Sequence, residues 1–83
     1  MFFVYILYSE RFDKYYIGQT DKLDGRIIRH NKGLEKYTKK YLPWIVILVI
    51  EKDTRSEAVR LERKLKNLSR ERLISFIHKH RFS

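Results

Sequence analysis

Residues Phe2 to Tyr8 read Phe-Phe-Val-Tyr-Ile-Leu-Tyr, an unbroken run of aromatic and aliphatic side chains that reads as a strand. Alternate positions of a strand face opposite ways, and here both sets are apolar: Phe3, Tyr5 and Leu7 on one side, Phe2, Val4, Ile6 and Tyr8 on the other. A strand with no polar face has to be covered above and below. The chain has 83 residues and no cysteine, so no disulfide framework or thiolate metal site helps hold it. A domain of this size buries only roughly 60–65% of its unfolded surface. Its 43% of hydrophobic residues must therefore be spent on one small sheet sandwiched between helices.

The rest of the chain supplies those layers. Ser9 to Phe12 is a polar turn, and Asp13 to Gln19 reads as a second strand of a hairpin. A four-residue loop there sets Tyr8 opposite Asp13 and Tyr5 opposite Tyr16, with both phenol rings on one face. Thr20 or Asp21 can cap a helix running to about Asn31, stopped by Gly33, with Leu23, Ile27 and Ile28 inward. Lys32 to Pro43 is a basic connection. Trp44 to Glu51 is a third strand, so apolar that burial on both faces is expected. Thr54-Arg55-Ser56-Glu57 is a capping box opening a helix with the stripe Ala58, Leu61, Leu65 and Leu68. Ser69 can cap a third helix with Leu73, Ile74 and Ile77 inward. The expected fold is α+β: a three-stranded antiparallel sheet flanked by three helices, in the order β-β-α-β-α-α, as one domain over residues 1–83.

Charge points to a partner. Lys and Arg number 19 against 10 Asp and Glu, a formal charge of +9. So large a positive field on so short a chain suits a polyanion, most often nucleic acid. The longest apolar run, Trp44 to Ile50, falls far short of the about 20 residues that cross a bilayer. The N-terminal run is not bracketed as a signal peptide would be. A cytoplasmic protein without a membrane partner is expected.

A few residues can carry chemistry. At 100° per residue, Glu62 lies about 40° from Ala58 and about 60° from Leu65, at the edge of the buried stripe. A carboxylate there needs a partner, either Lys66 one turn on or a cation such as Mg²⁺, which keeps its waters and shares phosphate oxygens. Tyr5 and Tyr16 are either core aromatics or groups that position a phosphate and move a proton. Arg26 is either a solvated arginine or a bidentate phosphate clamp. His30 is either a hydrogen-bonded side chain or a proton carrier. Lys36, Tyr37, Lys39, Lys40 and Tyr41 interleave cations with rings, as a backbone-tracking patch or as a solvated loop.

Taken together these residues resemble the GIY-YIG endonuclease family, and in particular its small bacterial members. The first motif stands as Phe3-Val4-Tyr5, keeping the tyrosine, and the second stands intact as Tyr16-Ile17-Gly18. Arg26-Ile27-Ile28-Arg29-His30-Asn31 is similar to the helix in which arginine precedes His-Asn. Lys36-Tyr37-Thr38 and Pro43-Trp44 precede the third strand. Ser56 to Lys66 resembles the helix with the metal-binding glutamate, and Leu68-Ser69-Arg70 follows as in those members.

That resemblance implies an endonuclease that hydrolyses DNA phosphodiester bonds with one Mg²⁺ or Mn²⁺ ion, structure-selective in repair or recombination. Glu62 would hold the metal, Tyr5 would take the proton of the attacking water with help from His30, Arg26 would stabilise phosphorane charge, and Tyr16 would position water or phosphate. Gly18 would let the backbone turn tightly beside the site, and Lys36, Tyr37, Thr38, Lys39, Lys40 and Lys66 would join it in binding nucleic acid. This chemistry needs the carboxylate, the guanidinium and the two phenols to meet in one basic hollow. The partner would be DNA, with RNA left open, and no small-molecule cofactor, on a monomer or weak homodimer. Two other functions compete: a catalytically silent nucleic-acid-binding module on the same fold, and a basic assembly protein of an RNA particle.

Overall fold

The structure is a computed structural model and describes residues 1–82. It contains β1 (Phe2–Ser9), β2 (Lys14–Thr20), α1 (Leu23–Asn31), a 3-10 turn (Thr38–Tyr41), β3 (Ile45–Lys52), α2 (Arg55–Lys66) and α3 (Arg70–Phe82). The α+β order β-β-α-β-α-α and the three-stranded antiparallel sheet are as expected, with strand order β2-β1-β3. The two-faced apolar strand β1 takes the centre, where both faces are covered. Val4 and Ile6 pack with Ile17, Ala58, Leu65, Leu73 and Ile77 beneath α2 and α3. On the opposite face Tyr5 and Leu7 pack with Trp44, Tyr16, Leu23, Ile27, Tyr41 and Leu42 beneath α1 and the connection. Burying a side chain such as Ile6, Leu7 or Leu65 contributes roughly 1.5–3 kcal/mol.

The local stop and start signals act as read, with two adjustments. Gly33 has φ of +74°, and its N–H reaches the His30 carbonyl while the Leu34 N–H reaches that of Arg29, closing α1 in a left-handed cap. Thr54 accepts the Glu57 N–H at 3.1 Å at the start of α2, and Ser69 Oγ accepts the Arg72 N–H at the start of α3. However, α1 begins at Leu23 without a side-chain cap, because Thr20 Oγ1 is taken by the Lys22 N–H in the preceding turn. Ile28 and Ile74 are exposed, one position round from the stripes that α1 and α3 bury.

Two further expectations are corrected. The hairpin loop has four residues but lies one position later, at residues 10–13, because Asp13 takes a positive φ of 53° and its carboxylate is held by Tyr8 Oη and Arg70. Tyr5 therefore faces Gly18, and Tyr16 faces Leu7. A slip of two residues keeps every side chain on its face, so Tyr5 and Tyr16 remain diagonal neighbours. Second, β3 is an edge strand and is not buried on both faces. Val46 and Val49, opposite Leu7 and Tyr5, are 40% and 37% exposed, since the cover on the Tyr5 face lies over β1 and β2, and Ile45, opposite Tyr8 on the other face at the strand's start, is 53% exposed. No helix among the described residues is long and apolar enough to cross a membrane.

Candidate active site

The site is built around Tyr5, which the central strand holds fully buried. Its ring lies across Gly18 on β2: a Cβ on Gly18 would stand 2.4 Å from Tyr5 Oη and 2.5 Å from Cζ. Gly18 is thus in mid-strand and serves the approach of a ring to the backbone, where a tight turn had been expected. Tyr16 joins from β2, its ring 6.4 Å from Tyr5 and 5.0 Å from His30.

The last turn of α1 delivers His30 beneath both phenols, only 1% exposed. Its Nε2 lies 2.9 Å from Tyr5 Oη and its Nδ1 lies 2.8 Å from Thr38 Oγ1. Thr38 is itself held: its carbonyl accepts the Trp44 indole N–H at 2.8 Å, while Asn31 Oδ1 accepts the Trp44 backbone N–H at 2.9 Å. Burial pushes the His30 pKa down, so the imidazole is neutral with one N–H. Burial, and next the neighbouring Tyr16, push the Tyr5 phenol well up, with the nearby Arg26 guanidinium opposing them. A neutral ring has one N–H, so either Tyr5 Oη donates to Nε2 while Nδ1–H donates to Thr38 Oγ1, or Nε2–H donates to Tyr5 Oη while the Thr38 hydroxyl donates to Nδ1. The first arrangement gives a buried phenol of high pKa a place to unload its proton.

Arg26, half-buried on α1, connects this core to the surface. It lines a groove of about 370 Å³ with Thr20, Asp21, Lys22, Gly25 and Arg29. Arg29 is tied to Glu35 at 2.9 Å. Tyr37 is 50% exposed, and its ring stacks 6.0 Å from that of Tyr16. Lys36, Lys39 and Lys40 are exposed beside it. Thr38, expected in that exposed patch, is buried with its hydroxyl on His30.

Glu62 sits differently. It is half-buried on α2 and pairs with Lys66 at 3.2 Å, the i,i+4 partner the spacing offered. The stripe of α2 packs on the sheet face opposite Tyr5. Leu61 marks one flank of that stripe, lining a groove with Lys52 of β3. Glu62, about 100° round from Leu61, marks the other flank. It shares that flank with Arg55, whose guanidinium is 3.7 Å from Asp21 just past the end of β2. Tyr5, Tyr16, Arg26 and His30 therefore stand together, and Glu62 stands round the β2 edge from them, which corrects the expectation that the carboxylate shares one hollow with the guanidinium and the two phenols. The grouping of Thr38, Asn31 and Trp44 behind His30 was not read from the sequence; it is made by a loop that carries no periodic signal.

Replacing Thr38 by valine is expected to leave Nδ1 of His30 buried without a hydrogen-bond partner, costing about 1–3 kcal/mol. Thermal unfolding checks this, with Thr38→Ser close to wild type. The neutral state of His30 also sets a pH limit. Its folded pKa lies below the usual 6.5, so its contribution to stability is complete above about pH 6.5 and is lost as pH falls below that value.

These features define an antiparallel sheet with a tyrosine pair, an arginine and a histidine gathered on one face. The model of the GIY-YIG catalytic domain matches residues 1–75, and the chain belongs to the GIY-YIG family, a nuclease superfamily. Among its relatives, UPF0213 protein lwe0147 of Listeria welshimeri is 39% identical over 66 residues, 78% of this chain and 73% of the relative. UPF0213 protein SSP2268 of Staphylococcus saprophyticus is 36% identical over 63 residues, 75% of this chain and 77% of the relative. The solution NMR structure of UPF0213 protein BH0048 from Bacillus halodurans covers 99% of this chain and 88% of its own at a TM-score of 0.66 and 30% identity.

Proposed function

We propose that the chain is a divalent-metal-dependent endonuclease that hydrolyses DNA phosphodiester bonds, selecting branched or flap structures in repair or recombination. The observation that carries this reading is the buried hydrogen-bonded chain from Tyr5 through His30 to Thr38, with the Arg26 guanidinium near the phenol, in a member of a nuclease superfamily. Tyr5 accepts a proton from the attacking water as it passes its own to His30 Nε2, so no free phenolate is needed beforehand. The resulting imidazolium keeps its Nδ1–H on Thr38. Arg26, facing the groove, stabilises charge that builds on the phosphoryl oxygens. Tyr16 positions the water or the phosphate, and Tyr37 with Lys36, Lys39 and Lys40 guides the strand.

The donors fit a weakly caged ion and no other. Among the described residues no three or more His, Cys, Asp or Glu gather as a metal cage. A lone carboxylate, Glu62, suits Mg²⁺ or Mn²⁺, whose remaining positions go to water and to substrate phosphate. Such an ion supplies Lewis-acid polarisation and leaving-oxygen stabilisation when bound. One observation favours the second reading, a catalytically silent DNA-binding module: Glu62 is committed to Lys66 and lies round the sheet edge from Tyr5.

Purified protein incubated with flap, branched, single-stranded and supercoiled DNA, with and without Mg²⁺ or Mn²⁺, separates the two. Metal-dependent nicking that favours flap or branched DNA is expected. Salt-sensitive binding with no nicking by either ion leaves the silent module standing and the nuclease rejected.

A further inference from the structure

We infer that the outer flank of α2 is a second phosphate-backbone surface for the DNA, held by Arg55, Arg60 and Arg63. The inference rests on the reading that the substrate is DNA and adds a grip that the Lys36–Lys40 loop does not supply. The three arginines are exposed and line a groove of about 490 Å³ with Ser56 and Val59. The ion pairs of the described residues employ Arg29, Arg55, Lys66 and Arg70 and leave Arg60 and Arg63 uncommitted. Arg60 and Arg63, set on one groove without carboxylate partners, repel one another, and the guanidinium fork is matched to phosphate oxygens.

Position ties this groove to the site. Arg55 reaches Asp21, which lines the Arg26 groove together with Lys22. The two grooves thus meet at an exposed ion pair of small worth, which a phosphate can replace. Glu62 is about 20° from Arg55 round the helix, so the carboxylate read as the metal ligand borders the arginine flank. Meanwhile α1 spans nine residues, about 13 Å, from the Arg55 end to the turn that leads into the basic loop. A backbone lying along α1 is gripped by the α2 arginines at one end and by Lys36, Lys39 and Lys40 at the other, with Arg26 between.

The test is the affinity of labelled duplex and flap DNA by fluorescence anisotropy in EDTA, over a range of KCl, so that cleavage plays no part. The double variant Arg60→Gln, Arg63→Gln is expected to bind roughly tenfold more weakly at fixed salt. Its slope of log K against log[KCl] is expected to be less steep by about 2. Lys39→Gln, Lys40→Gln should show a similar loss, and the quadruple variant should lose both steps. Wild-type melting confirms that these exposed changes leave the fold intact. Wild-type affinity and slope in the arginine variant, alongside loss in the lysine variant, overturn the inference while the DNA reading stands. Absence of DNA binding by the wild type overturns both.

Discussion

Changing Glu62 to glutamine is expected to abolish metal-dependent cleavage while fold and DNA binding persist. Glutamine keeps the shape of the side chain but offers a neutral amide oxygen, too weak a donor for Mg²⁺ or Mn²⁺ against water. The loss to the fold is small. The Glu62–Lys66 pair is largely solvent-facing through its lysine, 52% exposed, and such helix pairs contribute about 0.3–0.5 kcal/mol. The loss to the reaction is expected to be on the order of a thousandfold, the scale on which removing one electrostatic stabiliser acts. Single-turnover cleavage of flap DNA with Mg²⁺, beside binding of the same DNA in EDTA, reads the two effects separately. A glutamine variant that cuts as fast as wild type removes Glu62 from the metal site and leaves the Tyr5 cluster to act with another ligand.

This experiment matters because Glu62 is the residue whose place was least legible in the sequence. Helical periodicity put it at the boundary of the α2 stripe, and there it lies. Periodicity carries no information on which flank of the stripe turns to which strand. That is set by the pairing order β2-β1-β3 and by Arg55 reaching Asp21. The same limit shows at β3. Its apolar composition suggested burial on two faces, yet composition cannot tell a central strand from an edge strand, and β1 took the centre. By contrast, β1 was legible because both of its faces were apolar, and Gly33 because a helix stop needs a residue at ease with positive φ. Tyr5, Tyr16, Arg26 and His30 stand together, whereas Glu62, expected in the same hollow, lies round the β2 edge. Thr38 was named as part of a surface patch, and only the packing of the connection under Trp44 turned it inward to His30.

Gly18 offers the largest expected effect from the smallest change. Alanine there is expected to lower stability by about 2–6 kcal/mol and cleavage at least a hundredfold. The new methyl would be 2.4 Å from Tyr5 Oη, 2.5 Å from Cζ and 3.0 Å from Cε2, so the outer half of the ring has to move. The ring has little room to yield: it is fully buried and its hydroxyl is fixed on His30. Overpacking of this kind costs typically about 1–3 kcal/mol, and breaking the buried hydroxyl–imidazole bond adds about 1–3 more. At roughly 4–8 °C per kcal/mol for a domain of this size, the melting temperature falls by at least about 8 °C. The partner of the clash is testable through the double variant Gly18→Ala, Tyr5→Phe, which lacks the closest atom. If ring and methyl collide, its combined loss is smaller than the sum of the two single losses, whereas independent sites add. An alanine variant that melts with wild type would mean that Tyr5 does not lie across Gly18. The hydrogen-bonded chain to Thr38, which depends on that ring position, would then lose its footing. The glycine of the second motif thus serves the chemistry by leaving space: it has no side chain so that the phenol can lie flat on β2 with its oxygen held on His30.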